Sequence, residues 1–273
     1  MTLDSFLSKH YTKENHNYTK IKSEKHNVSG GKYGVPLDKV DDFYTLYKKH
    51  VFVNKKEAYM TEKQLELGPI LIDLDFRYDP EIMDRQHTAS QINMLLQNIF
   101  EIVSIIKTPK DADANCFVFE KSNVNTSDES VTKDGIHIVI NIQMDFIEKA
   151  ILRNKLLMII GSVFDELPII NSWSDVIDEG VMKGVVNWQL YGSRKPGCEA
   201  YQLKYYVKSK YFNGDWTFNQ IECSDEQFVM DNFEDLIARN RNLIVFKQSP
   251  SISAEYTLLK ESRSTKTQSK IKT

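Results

Sequence analysis

The chain is poor in the residues that build special scaffolds. Only three cysteines occur, Cys116, Cys198 and Cys223, widely spaced and without a Cys-x-x-Cys pair. That excludes a disulfide framework, offers no zinc-ligand set and fits a reducing, intracellular compartment. Seven prolines and eleven glycines exclude a collagen-like repeat. No apolar run approaches the roughly 20 residues that span a bilayer, because Met94 to Ile106, the longest helix-like stretch, is interrupted by polar residues. No membrane partner is expected, and the opening residues, which include Asp4, lack the apolar core of a secretory signal. A Gly-x-x-x-x-Gly-Lys-Ser/Thr loop is missing as well, since Gly31-Lys32 runs into Tyr33 without the upstream glycine. No helicase motor is therefore expected within the sequence. Nor is there an excess of positive charge. The formal charge is −3, and outside the basic segment 260–273 the chain holds 30 basic against 37 acidic residues. Any nucleic-acid site must be a local patch.

What is present is the composition of an ordinary folded protein. Hydrophobic residues make up 41% and charged residues 27% of the 273 positions, which excludes wholesale disorder. A chain of this size buries about three quarters of its surface, enough for one large or two small domains. Residues 1–36 are polar and lysine-rich, carry His10, His16 and His26 without ligand spacing, and are expected as an arm with a turn at Ser29-Gly30-Gly31. The main domain is expected over 37–259, followed by a disordered basic tail or linker over 260–273.

Apolar spacing predicts helices over Asp42–Val51, Glu81–Lys107 and Met144–Leu167. Strands are expected at Leu71–Phe76, Cys116–Glu120, Gly135–Asn141, Val185–Tyr191, Tyr201–Val207 and Leu243–Phe246, with a helix start at Ser224 to Gln227. Strands interspersed with two long helices predict an α/β or α+β domain with helices packed on a sheet.

Three features could carry chemistry. The first is Asp73-Leu74-Asp75 in the apolar strand Pro69 to Phe76. Alternation turns both carboxylates to one side, roughly 7 Å apart, where a hard cation such as Mg²⁺ or Mn²⁺ would relieve their repulsion. An acidic strand end in water is an equally good reading of that motif alone. The second is Lys133-Asp134-Gly135-Ile136-His137. Ile136, Ile138 and Ile140 face a core, so His137 turns to the opposite side, where it could donate to a phosphate with Lys133 near by. A satisfied structural histidine is the commoner case. The third is Asp178 followed by Asn187 to Pro196, a strand entering a tight turn whose Ser193, Arg194 and Lys195 could hold an anion. Asp178 could instead cap a helix, and Asp175 and Glu179 compete with it.

Taken in this order, the three features resemble the archaeo-eukaryotic primase superfamily, and most closely the primase-polymerase module at the N-terminus of giant-virus helicase-primases. The likeness rests on Gly68 to Tyr78, Lys133 to His137 and Tyr191 to Pro196, and covers roughly residues 33–210. It implies a mixed central sheet with an RRM-like catalytic half. It also implies that Asp73, Asp75 and Asp178 bind two Mg²⁺ or Mn²⁺ ions, and that Lys133, Gly135, His137, Ser193, Arg194 and Lys195 surround the incoming NTP or dNTP. Two departures stand out. The family's serine two residues before the histidine is Gly135, and its arginine before Leu-Tyr in the third motif is Gln189, with Arg194 as the candidate substitute.

The implied reaction is template-directed nucleotidyl transfer that makes primers on single-stranded DNA for viral replication, with a helicase domain or subunit as partner and host cytoplasm or a viral replication site as location. Arg77, Lys204, Tyr206 and Lys208 are the candidates for the template, the last three with Gln202 and Lys210 on one side of a strand. A lysine-blunted edge strand explains that pattern as well. Two other functions compete: a non-catalytic single-stranded DNA-binding module, and a metal-dependent phosphohydrolase with Asp73 as nucleophile. The second is weakened by Phe76-Arg77 after the second acid.

Overall fold

Burial of alternate apolar residues on both sides of one long strand organises the fold. The computed structural model describes residues 1–222 and 225–271, with side chains as far as 264. Cys223 and Ser224 lie outside the described residues, as do Lys272 and Thr273.

In chain order, α1 (Leu3–Lys9), β1 (Tyr18–Lys20), β2 (Gly31–Tyr33), α2 (Val40–Lys48) and β3 (Met60–Glu62) come first. Next are β4 (Gly68–Tyr78), α3 (Ala89–Ile106), β5 (Lys107–Thr108), β6 (Ala112–Glu120), β7 (Asn125–Asp128) and β8 (Val131–Met144). The helices α4 (Phe146–Leu157), α5 (Ile160–Val163), α6 (Trp173–Val176) and α7 (Glu179–Met182) lead to β9 (Trp188–Gln189). The chain closes with β10 (Gln202–Phe212), β11 (Asp215–Glu222), α8 (Glu226–Asp231), β12 (Lys247–Gln248) and α9 (Ser253–Ile271).

The architecture is α+β. The main sheet has the order β11-β10-β6-β8-β4, with β7 pairing β8. Every ladder in it is antiparallel, in place of the mixed pairing expected. One face buries Ile70, Ile72, Leu74, Ile136, Ile138 and their neighbours under α3 and α4. Although α3 is long and apolar enough to cross a membrane, Ile92, Leu95, Leu96, Ile99 and Val103 are packed into this core. The other face carries Leu71, Phe117, Phe119 and Val139 against Val181, Trp188 and Leu236. A second, four-stranded sheet of order β2-β1-β3-β9 packs with α1 and α2 around Phe6, Tyr18, Phe43 and Tyr47.

Residues 1–36 are thus no arm. Leu3, Phe6 and Leu7 fall on one face of α1 and are buried, and Tyr18 of β1 is fully enclosed. The helix expected from Glu81 starts only at Ala89, where Thr88 and Gln91 form a capping box. Residues before it stay unwound because Arg85 and His87 reach buried acids on the sheet. Met144 ends β8, Asp145 caps α4, and the expected helix to Leu167 is broken after Leu157. Strand 185–191 contracts to β9, and the Leu243–Phe246 run makes only an isolated parallel bridge, Ile142 to Ile244. Helix α9 continues to Ile271 through the segment expected as a disordered tail.

Glu62 ties β3 to the loop that follows α8. Its side chain is fully buried, and Oε1 accepts a 2.7 Å hydrogen bond from the Ala238 amide. Burial raises its pKa to about 7 against the help of that amide and of Arg239. A carboxyl raised on folding holds its proton in the folded state, so stability falls as pH rises from the ordinary carboxylate range to about 7 and levels off above it. The loss amounts to about 3 kcal/mol by linkage. Glu62→Gln keeps the acceptor without the ionisation, so chemical denaturation at pH 5 and 8 is expected to show that slope in the wild type and not in the variant.

Candidate active site

Strand register creates the site. In the β4–β8 ladder Asp73 lies opposite His137, Asp75 opposite Gly135 and Arg77 opposite Lys133. Directly opposed residues share a face, so both acids, His137 and Lys133 project from the side of the sheet that is not covered by α3. His137 Nε2 stands 3.5 Å from Asp73 Oδ1. The imidazole is held between Trp188, with centroids 4.4 Å apart, and Tyr201, stacked at 3.6 Å and 20°.

Asp178 joins this pair from a distant part of the chain. Ile177 bridges Leu74 in antiparallel fashion, and the Asp178 amide donates to the Asp73 carbonyl at 3.0 Å. The Asp178 carboxylate also caps α7, accepting from the Val181 amide at 2.8 Å. The two competing acids are otherwise engaged. Asp175 accepts from the Ser172 hydroxyl, and Glu179 pairs with Lys183.

The charges split the two strand acids. Burial would raise Asp73, but His137, Lys195 and Lys121 together hold it below the usual carboxylate range. Asp75 goes the other way, raised by burial and by the charge of Asp73 despite Arg77, whose guanidinium lies 3.3 Å from its Oδ2. Adjacent acids with opposite shifts carry unrelieved like-charge repulsion. Hard oxygen donors under such repulsion fit a Mg²⁺ or Mn²⁺ ion. Among the described residues no group of three or more His, Cys, Asp or Glu side chains is drawn together around one point, however. Fit therefore rests on donor chemistry and a shared face.

Around the acids, the expected phosphate contacts divide. Lys195 is exposed, and its charge reaches both Asp73 and Asp75. Lys133 is partly exposed and stands 3.3 Å from Asp128. Ser193 is a correction to the sequence reading: it is fully buried, its Oγ 2.7 Å from Tyr47 Oη and accepting from the Met60 amide at 2.9 Å. It pins the turn and has no face toward a ligand. Arg194 pairs with Glu57 at 3.0 Å and so is occupied away from the acids. Gln189, at the family's arginine position, donates to the Ser193 carbonyl and closes the same turn. Gly192 with φ 85° and Gly197 with φ 78° let the backbone double back on either side of Lys195.

The expected template face is also rearranged. Lys204 forms a bulge in β10, which puts Leu203 and Tyr206 on one side and removes Gln202 and Lys204 from the alternation with Lys208 and Lys210. Tyr206 is buried, stacked on Phe117 and Phe228, and has no free ring face for a base. Lys204 and Lys208 remain exposed, and Arg77 is paired with Asp75. A groove of about 630 Å³ opens beside the site between Phe52, Tyr191, Arg194, Tyr201, Lys204 and Glu226.

Three neighbours of the acids were not singled out from the sequence. They are Lys121, Tyr201 and Trp188, and all three stand at ends of strands where periodicity carries no information about a distant partner.

The family described as the C962R protein N-terminal AEP domain matches residues 25–207. The protein named "Putative helicase L207/L206" of Acanthamoeba polyphaga mimivirus is 30% identical over 174 residues, covering 60% of this chain and 17% of its own length. The chain thus spans about a sixth of that relative. The match over residues 25–207, which includes all three acids, His137 and the Lys195 turn, shows that the chain belongs to the C962R-type N-terminal AEP domains of the archaeo-eukaryotic primase group.

Proposed function

We propose that this domain is a DNA-dependent primase-polymerase that carries out metal-dependent nucleotidyl transfer on a single-stranded DNA template. The observation that carries the reading is the common face of Asp73 and Asp75, with His137 against the first of them and the Asp178 amide bonded to its carbonyl. In this reading Asp73 and Asp75, with Asp178 beside them, hold two Mg²⁺ or Mn²⁺ ions. Bound there, such ions lower the pKa of an attacking 3′-hydroxyl and neutralise charge on the leaving pyrophosphate.

The chain's own residues do the rest. His137, fixed by two aromatic rings, is a preorganised donor toward the triphosphate of an NTP or dNTP. Lys195, Lys121 and Lys133 supply positive charge around the acids. The groove with Phe52, Tyr191 and Lys204 suits a single strand, since it combines ring faces with cations. A helicase domain or subunit is the proposed partner, on the strength of the relative's name and the small share of it that this chain spans.

The test is labelled-nucleotide incorporation on single-stranded DNA with Mg²⁺ or Mn²⁺. Template-dependent oligomers are expected. DNA binding without product would replace this reading by a non-catalytic module, and nucleotide hydrolysis without DNA would replace it by a phosphohydrolase.

A further inference from the structure

Gly135 and Tyr201 exclude each other's space. A β-carbon at residue 135 would lie 2.2 Å from Tyr201 Oη and 3.3 Å from its Cζ. The tyrosine hydroxyl therefore occupies the place into which a side chain at 135, two residues before His137 and opposite Asp75, would project. Its ring is stacked on His137 at 3.6 Å, and Lys121 Nζ stands 5.0 Å from the ring centroid. Among the described residues Oη makes no hydrogen bond. Tyr201 also lines both the slot beside His137 and Trp188 and the larger groove.

Resting on the nucleotidyl-transfer reading, we propose that Tyr201 is a nucleotide-binding residue whose Oη donates a hydrogen bond to a phosphate oxygen of the incoming nucleotide. The position fits that task. The ring that carries this donor lies against His137 and within reach of Lys121, and Lys121 and Lys195 both bring positive charge to Asp73. A ring clamped by the imidazole has few conformations left to lose, so its hydroxyl is presented at little entropic cost. The glycine at 135 is then one half of an exchange: the hydroxyl that a serine at 135 would offer comes instead from across the site.

Three variants test this, with Mg²⁺ present and both inorganic tripolyphosphate and ATP or dATP as probes. Tyr201→Phe keeps the ring and removes only the donor. It is expected to weaken tripolyphosphate binding and raise the nucleotide KM by on the order of tenfold, the worth of a hydrogen bond to an anion, with kcat and Tm little changed. Gly135→Ser alone collides with Oη and is expected to lower affinity. Gly135→Ser with Tyr201→Phe relieves the collision and restores a hydroxyl, so affinity is expected to return to within about threefold of wild type. Wild-type affinity in Tyr201→Phe, or no recovery in the double variant relative to it, overturns the assignment. If the wild type polymerises and Tyr201→Phe is unchanged, only Tyr201 falls. If the wild type binds neither probe with Mg²⁺ or Mn²⁺, the nucleotidyl-transfer reading falls and takes this one with it.

Discussion

Asp75→Ala is expected to lower template-directed incorporation by on the order of a thousandfold while leaving the fold in place, as loss of a group that meets developing charge does elsewhere. The asymmetry follows from where Asp75 sits. Its side chain is 40% exposed and its only ion pair among the described residues is with Arg77, itself 45% exposed. Truncation opens no cavity, and it removes the repulsion that Asp73 imposes. A Tm within about 2 °C of wild type is therefore expected. Asp73→Ala should cost as much activity but also leave His137 without its acid, so its thermal shift should be larger. Incorporation assays with Mg²⁺ and Mn²⁺, together with Mn²⁺ binding followed by electron paramagnetic resonance, separate loss of a metal ligand from unfolding. Full activity in Asp75→Ala would remove the acid pair from the mechanism.

How much of this was legible in the sequence depends on distance along the chain. The pairing of Asp73 with Asp75 on one face follows from the two-residue period of a strand, and the same rule turns His137 and Lys133 away from Ile136 and Ile138. Those local deductions hold in the ladder. That β4 and β8 are neighbours, with Asp73 opposite His137, is a long-range fact that periodicity does not contain. Asp178 shows the helix-cap reading in its side chain, which caps α7, while its backbone alone reaches Asp73.

Other residues were hidden by local irregularity. The bulge at Lys204 took Gln202 and Lys204 off the side that carries Tyr206, Lys208 and Lys210, and no composition signal marks a bulge in so polar a stretch. Ser193 looked like an anion ligand because serine in a turn often is one, yet Tyr47, 146 residues away, takes its hydroxyl. In residues 1–36 three buried side chains on a seven-residue helix and two three-residue strands are too short to show a period. Arg85 and His87 prevent the helix that their neighbourhood's composition favours, and their reason for doing so lies in acids on β6 and β8.

Those acids carry the largest expected stability effect. Arg85 grips Asp134 through Nε and Nη2, both at 3.1 Å, and Glu120 through Nη1 at 2.7 Å, and it also donates to the Lys121 carbonyl. His87 lies between the same two carboxylates, 3.1 Å from Glu120 and 3.2 Å from Asp134. Burial would lower the histidine, but Asp134 and Glu120 raise it, so that two cations balance two anions in a nearly closed space. Burial would likewise raise the two acids, and His87 with Arg85 lowers both. The sign of each shift fixes the working window. The carboxylates' contribution is lost as pH falls through their lowered values, and the histidine's is lost as pH rises through its raised one, so the cluster is strongest between the two. Asp134→Ala leaves Arg85 and His87 with Glu120 as the one remaining anion and is expected to destabilise by about 3–5 kcal/mol near neutral pH, or about 10 °C in Tm. Adding Arg85→Ala should cost less than the sum of the single changes, because the stranded cation goes with its partner. The same double variant frees the Lys121 carbonyl and so should also weaken nucleotide binding, which a cluster serving the core alone would leave untouched. Strictly additive losses in a denaturation cycle would show that Arg85 and Asp134 act on the fold independently.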